Sequence, residues 1–230
     1  MDVLGSTLAV LQDAALRSDA VLVAYSGGKD SLVVLDLCKR TFQRVEAFFM
    51  YLLPGLASVE AALGWASDTY GVRIHQYPHW LLSRVLKHGV YCNPWHGHDD
   101  VPSFTVNDVY QIAMLDTGIP LVATGAKAAD SGWRRRHLTT AARADVITPI
   151  KTWNKLEVLA YLRARGLPIP PSSGRPATGI DFSTPSLCWL YDTYPQDFAR
   201  LAEVFPYVEA AIWRREWYGI GTDPNASRAA

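Results

Sequence analysis

Along the first 168 residues, short apolar runs alternate with segments of helical spacing. "AVLVAY" (20–25) is apolar throughout, as expected of a strand buried on both faces of a parallel sheet. "DSLVVLDLCKR" follows as a helix, "RVEAFFMY" as a strand, "SVEAALGWASDTY" as a helix and "VRIHQY" as a short strand. After a polar loop, "TVNDVYQIAMLDTG" predicts a helix leading into the strand "IPLVAT". "ADVITPI" predicts a further strand, and "NKLEVLAYLRARG" a helix with Gly166 at its end. Such alternation predicts an α/β fold, a doubly wound and mostly parallel sheet, over residues 1–168. Residues 169–220 read as a loop and a helical C-terminal extension of the same domain, helical over 193–218, and 221–230 as a frayed tail.

The N-terminal twenty residues carry an acid at position 2 and polar interruptions at Gln12, Asp13 and Arg17, so they predict an amphipathic helix rather than a signal peptide. "AFFMYLLPGLA" is too short to cross a membrane and contains Pro54 and Gly55. The expectation is a cytoplasmic protein with no membrane partner. In a chain of 230 residues, Lys plus Arg and Asp plus Glu are each 22, so no global field draws it to nucleic acid; a basic stretch at 134–143 is all that favours such a partner. Cys38, Cys92 and Cys188 are odd in number and form no CxxC, which argues against a disulfide framework or a zinc ribbon.

The chemistry concentrates in "VAYSGGKDSLVVL", where Gly27 and Gly28 lie between the first strand and its helix. A Walker loop fails, because Val23 and Asp30 stand where a glycine and a Ser or Thr are required. A dinucleotide fingerprint fails too, for want of three spaced glycines. What remains is a tight turn that exposes backbone N–H groups at a helix N-terminus, where an anion is stabilised. Lys29 adds positive charge, Ser26 and Ser31 add hydroxyl donors, and Asp30 suits a magnesium ion or the orientation of a donor. The plain alternative is an ordinary capped strand-to-helix turn.

"SGGKDS" resembles the PP-loop of the ATP pyrophosphatase (adenine nucleotide alpha hydrolase) superfamily, SGGxDS. Within it, the chain is most similar to the branch holding phosphoadenosine phosphosulfate (PAPS) reductases, the small subunit of bacterial sulfate adenylyltransferase, and related FAD synthetases. "TGAKAADSGWRRRHL" (124–138) is similar to that branch's G-x-R-x-x-x-S-x-x-R element, with Gly125, Lys127, Ser131 and Arg134 in register and lysine in place of the usual arginine. "ITPIKTWNKLEVLAYLRARGLPIP" resembles a third shared segment. The resemblance implies a site for ATP, or PAPS, with Mg²⁺, formed by Tyr25 to Ser31, Tyr51, Gly125, Ser131, Arg135 and Arg136. It implies catalytic roles for Lys29, Asp30, Lys127 and Arg134, with Asp30 holding the metal. Loops after parallel strands share the carboxyl edge of a sheet, which brings 26–31, 125–136 and 151–153 to one crevice. There "RRR" (134–136) beside Lys127 suits a small anionic second substrate, or is a solvated turn.

Reductases of this branch use a cysteine in a C-terminal Glu-Cys-Gly, which is absent here; Cys188 stands alone in "STPSLCWLYD", and one cysteine holds no iron–sulfur cluster. Reductases commonly carry a degenerate glycine turn, whereas this one is intact, so adenylyl transfer from ATP is preferred over sulfur reduction. A nucleotide-binding subunit without turnover, needing a partner subunit, is a further alternative, and a homodimer another. Where relatives carry Asp-Thr-Gly after the second strand, this chain has "MYLLPG". His75, His79, His88, His96 and His98 cluster with Cys92, Asp99 and Asp100, either as metal ligands or as a polar substrate lid. Trp133 is placed to stack on a base. Trp189, Trp213 and Trp217, with Tyr191, Tyr194 and Tyr207, read as core packing of the C-terminal helices or as a dimer contact.

Overall fold

A computed structural model describes residues 3–91, 100–132, 136, 143–169 and 182–219. Two compact units divide the chain: the first comprises 1–50, 63–77 and 110–170, and the second 51–62, 78–109 and 171–230. The second unit thus takes in segments from within the first 168 residues as well as the C-terminal region.

The fold is α/β, with five parallel strands in the order β3-β2-β1-β4-β5: β1 Ala20–Ala24, β2 Arg44–Tyr51, β3 Ile74–Pro78, β4 Val122–Thr124 and β5 Val146–Ile147. β1 is central, in register with β2 (Ala24 opposite Phe48) and β4 (Ala24 opposite Thr124). Val21, Leu22 and Val23 are fully buried, which is why this strand is apolar at every position rather than at alternate ones. Strand order reverses at β1, so the loop that follows it lies at the topological switch point, where open α/β sheets bind ligands.

Helix α1 spans Val3–Arg17 and α2 spans Lys29–Lys39. Every residue of α2 from Ser31 to Cys38 is buried, including Asp36. Burying that carboxylate is tolerable because it is paired: Tyr161 Oη donates to it at 2.6 Å, and the Arg165 guanidinium at 3.0 and 3.3 Å. Both partners belong to or flank a helix at Lys155–Ala164. It is started by Asn154, whose side chain accepts from the N–H groups of Leu156 and Glu157, while Glu157 accepts from the Asn154 N–H. Trp153 is buried and donates from its indole to Thr7 of α1, which donates to the Pro149 carbonyl.

The remaining described helices are α3 (Ala57–Tyr70), α4 (Trp80–Lys87), α5 (Val106–Thr117), α6 (the Lys155–Ala164 helix), α7 (Thr184–Thr193), α8 (Pro195–Val204) and α9 (Glu209–Tyr218). Two differ from the sequence reading. α4 lies inside the histidine-rich stretch read as loop; Leu81, Leu82, Val85 and Leu86 pack it on the core of the second unit. α7 begins at Thr184, nine residues before the helical region read from 193, because the cluster of prolines upstream masks a start that has Pro185 in its first turn. That core also contains Leu187, Leu190, Phe198, Leu201, Phe205 and Ile212.

The C-terminal aromatics are not core as a group. Trp189 and Tyr194 pack against the cluster, but Tyr191 is 41% exposed, Tyr207 52%, Trp213 61% and Trp217 73%. Among the described residues, no helix is long and apolar enough to cross a membrane.

Candidate functional site

β1 is followed by Tyr25, whose N–H donates to the Phe48 carbonyl of β2 at 2.9 Å. Its ring is buried, and burial pushes its hydroxyl up to about 12, so it stays neutral and serves as the packed end of the strand. The chain then turns sharply: Gly27 has φ +72°, a left-handed conformation that a side chain would strain. Ser31 holds the turn together. Its hydroxyl donates to the Gly28 carbonyl at 2.9 Å and accepts from the Ser26 N–H at 3.1 Å, with the Ser26 hydroxyl 3.2 Å away. With these bonds the turn delivers the chain into α2, whose first residue is Lys29 and whose N-cap position, Gly28, provides no side-chain cap. The positive end of a helix buried from Ser31 to Cys38 is therefore presented at the switch point.

The loop after β4 closes on this turn. A Cβ added at Gly125 would lie 3.0 Å from the Asp30 carbonyl carbon and the Ser31 nitrogen, and 3.2 Å from the Asp30 Cβ. Only a glycine allows two backbones to approach so closely. Two residues on, Lys127 is 2% exposed, and its Nζ lies 2.6 Å from Asp30 Oδ2 and 3.0 Å from Asp130 Oδ1. Lys29 Nζ donates to the same Asp30 oxygen at 2.9 Å. Among the described residues, Asp30 Oδ1 is buried and has no hydrogen-bond partner. The Ala128 N–H donates to the Lys151 carbonyl at 2.8 Å, which joins the loop after β5 to the same place.

The structure thus brings Ser26 to Ser31, Gly125 and Lys127 together. Asp130 is a member that the sequence reading missed; its signal was the i, i+3 spacing from Lys127. Ser131 and Arg136 are exposed, while Trp133, Arg134 and Arg135 lie outside the described residues. Tyr51 closes β2 and falls in the second unit, where its carbonyl accepts from the His79 N–H at 2.8 Å.

The sequence profile described as the phosphoadenosine phosphosulfate reductase domain matches residues 20–172, a span that includes every element of this arrangement. The chain belongs to the PAPS reductase domain family. A crystal structure of phosphoadenylyl-sulfate (PAPS) reductase from Candida auris, in its phosphate complex, shares the fold. It aligns with a TM-score of 0.50 and 20% identity over 77% of this chain and 89% of that one. No curated protein matches.

Within this family member, the cysteines that are described are packed away. Cys38 is fully buried in α2 and burial drives its thiol far up. Cys188 is 5% exposed in the core of the second unit, its sulfur 3.8 Å from the Ala211 carbonyl, and burial raises its thiol despite the opposing influence of Arg215. Cys92 lies outside the described residues.

The described histidines are engaged separately. His75 Nε2 is 2.6 Å from Glu46 Oε2 on the neighbouring strand. His79 is the N-cap of α4, accepting the Leu81 N–H at Nδ1, and His88 is its C-cap. Among the described residues, no group of three or more His, Cys, Asp or Glu side chains is placed to hold a metal; His96, His98, Cys92 and Asp99 lie outside them.

Where the resemblance places Asp-Thr-Gly, the PAPS reductase family member has a loop pinned from α8. Asp197 is buried and accepts the N–H groups of Ala57 and Ser58, both at 2.8 Å, at the start of α3. Burial raises the Asp197 carboxyl, but these donors outweigh it and hold the group below the ordinary carboxylate range. The Arg200 guanidinium donates to the carbonyls of Gly55 and Pro54. Neither residue was singled out from sequence, since each lies about 140 positions from its partner.

Proposed function

We propose that this chain binds an adenine nucleotide at Ser26–Ser31 and transfers the adenylyl group of ATP to a small anionic acceptor. The observation that carries the reading is the intact turn: an uncapped helix N-terminus, two serine hydroxyls and Lys29 converge where a phosphate chain would lie. In the reaction an acceptor oxygen attacks the α-phosphorus of ATP. A bond forms between them, the bond from the α-phosphorus to the bridging oxygen breaks, and pyrophosphate leaves with the electron pair.

In this reading Lys29 and Lys127 balance the charge that builds on the leaving pyrophosphate, and the N–H groups at the start of α2 hold the phosphates in line. The residues fit Mg²⁺, because Asp30 offers a buried oxygen that has no partner among the described residues, and magnesium is commonly held by one carboxylate together with substrate phosphates. Such an ion would supply neutralisation of the phosphate oxygens. Arg134 to Arg136 are proposed as the acceptor side, and Gly125 and Ser131 as its frame.

The family and the named structural relative favour a second reading, in which the nucleotide is PAPS: a cysteine thiolate attacks its sulfur, the bond from that sulfur to the phosphate oxygen breaks and the nucleotide leaves with the electron pair, and a dithiol reductant then displaces sulfite from the cysteine and is oxidised to a disulfide. The burial of Cys188 and its raised thiol weigh against that residue as nucleophile.

Pyrophosphate release from ATP and magnesium over a panel of small oxyanions tests the first reading; sulfite release from PAPS with a dithiol reductant tests the second. Pyrophosphate release abolished by Lys29→Ala supports adenylyl transfer. Sulfite release, kept by Cys188→Ala and lost in Cys92→Ser, would replace it with reduction.

A further inference from the structure

Lys127 is 2% exposed and touches two carboxylates: its Nζ lies 2.6 Å from Asp30 Oδ2 and 3.0 Å from Asp130 Oδ1. The two are held differently. Asp130 closes the 3₁₀ turn Ala128–Asp130 that Lys127 begins, and its Oδ2 accepts the Lys127 N–H at 3.3 Å, so it grips Lys127 by main chain and side chain together. Asp30 belongs to α2, and the same oxygen that meets Lys127 also accepts Lys29 at 2.9 Å. Among the described residues, these are the carboxylates within ion-pair distance of Lys127.

The two lysines also differ in their freedom. The Lys29 side chain is 19% exposed at the uncapped N-terminus of α2, and can turn from Asp30 toward a phosphate. Lys127 has almost no contact with solvent, so its charge has to be compensated where it stands.

We propose that Asp130 is a positioning residue: it holds Lys127 when Asp30 turns to a divalent cation, and so sets how readily Asp30 accepts one. The proposal rests on the reading of Ser26–Ser31 as a site for ATP with magnesium. Asp130 acts through Lys127 and does not touch the ligand. At Asp30 Oδ1, which has no partner among the described residues, a cation would share its carboxylate with a lysine 2.6 Å from the other oxygen. Like charges that close repel strongly even when partly screened. With Asp130 in place, Lys127 has a second carboxylate already at 3.0 Å and yields Asp30 by a small shift within its own turn. With Asp130 made neutral, Lys127 has Asp30 alone, and the cation must compete with a buried ammonium for it.

Calorimetric titration of the full chain with ATP at a series of free magnesium concentrations tests this, with far-UV circular dichroism confirming that each variant is folded. The quantity read is the free magnesium at which ATP affinity lies midway between its low- and high-magnesium limits. Asp130→Asn should raise that midpoint about tenfold. Lys127→Met should leave it unchanged or lower it, because the competing cation is gone. Lys127→Met/Asp130→Asn should return it to within about threefold of the wild type. A merely structural role for Asp130 predicts the reverse, since a second substitution cannot repair a loop that the first has loosened.

An unchanged midpoint in Asp130→Asn overturns the proposal and leaves the ATP site standing. So does a double variant that needs as much magnesium as Asp130→Asn, or a Lys127→Met variant that needs more than the wild type. A wild-type chain that binds ATP without regard to magnesium, or does not bind it, overturns the reading of the site and the proposal with it.

Discussion

Gly125→Ala probes the closest contact in the candidate site. The added methyl would lie 3.0 Å from two backbone atoms of Asp30 and Ser31, and these cannot rotate away as the tip of a flexible side chain would. Either the loop after β4 or the start of α2 must retreat by several tenths of an ångström. Because α2 is buried from Ser31 to Cys38 and tied through Asp36 to Arg165, the loop is the part that yields. Overpacking of this kind costs about 1–3 kcal/mol, so a loss of about 2 kcal/mol is expected. For a chain of this length, that lowers Tm by roughly 4–8 °C. A retreat of the loop also lengthens the 2.6 Å contact between Lys127 and Asp30, and the affinity for ATP with magnesium should fall about tenfold.

Gly64→Ala is the control with the opposite sign. Gly64 lies inside α3 with nothing within 4 Å of an added Cβ, so alanine should stabilise by up to about 1 kcal/mol. Differential scanning calorimetry and titration calorimetry on the two variants make the comparison. If Gly125→Ala melts with or above the wild type, or binds nucleotide unchanged, the two loops are not held at the separation described.

Lys127→Met should cost about 2–3 kcal/mol by urea denaturation, at the lower end for a broken buried pair. Asp30 and Asp130 are each about a quarter exposed and Lys29 stays on Asp30, whereas Lys127→Arg should keep most of the stability. Asp197→Ala removes two charge-assisted bonds at the start of α3 and should cost about 2–3 kcal/mol at neutral pH. Since the carboxyl of Asp197 is held low in the folded state, its contribution is present above about pH 4 and lost as pH falls below it, so the gap between variant and wild type should close in acid. Burial lowers the His79 imidazole, and its Nδ1 caps α4 only while unprotonated. The unfolded chain takes up that proton first, so this stabilisation is complete above about pH 6.5 and declines as pH falls; His79→Asn, which caps without titrating, should show a flatter urea midpoint from pH 8 to 5.

The centre of the sheet was legible because β1, β2 and β4 are largely apolar runs closed by turn signals, as a buried parallel sheet requires, whereas the edge strand β3 carries His75 and Gln76 and is only partly buried. The site turn was legible for a similar reason: Ser26 to Ser31 are contiguous, and their physics is local. α4 was hidden because His79 and His88, which read as candidate ligands, are its caps. Asp130 was missed because its partner Lys127 was read as an anion donor rather than as a buried cation needing carboxylates of its own. Asp197 and Arg200 were not legible at all, since their partners are backbone groups of Pro54 to Ser58, which have no sequence signature. The exposure of Trp213 and Trp217 shows the limit of composition: aromatic residues at helical spacing announce a packing face, but not whether it is already occupied.

Lys29, Lys127, Asp30 and Asp130 together carry no net charge. A phosphate chain arriving alone would draw the lysines away from their carboxylates and leave Asp30 facing a like charge. A divalent cation arriving alone would meet the lysines. Taken up together, cation and phosphates exchange partners with the four side chains and leave none of them uncompensated. Affinity for the nucleotide should therefore rise steeply with magnesium, and affinity for magnesium should rise by the same factor with nucleotide.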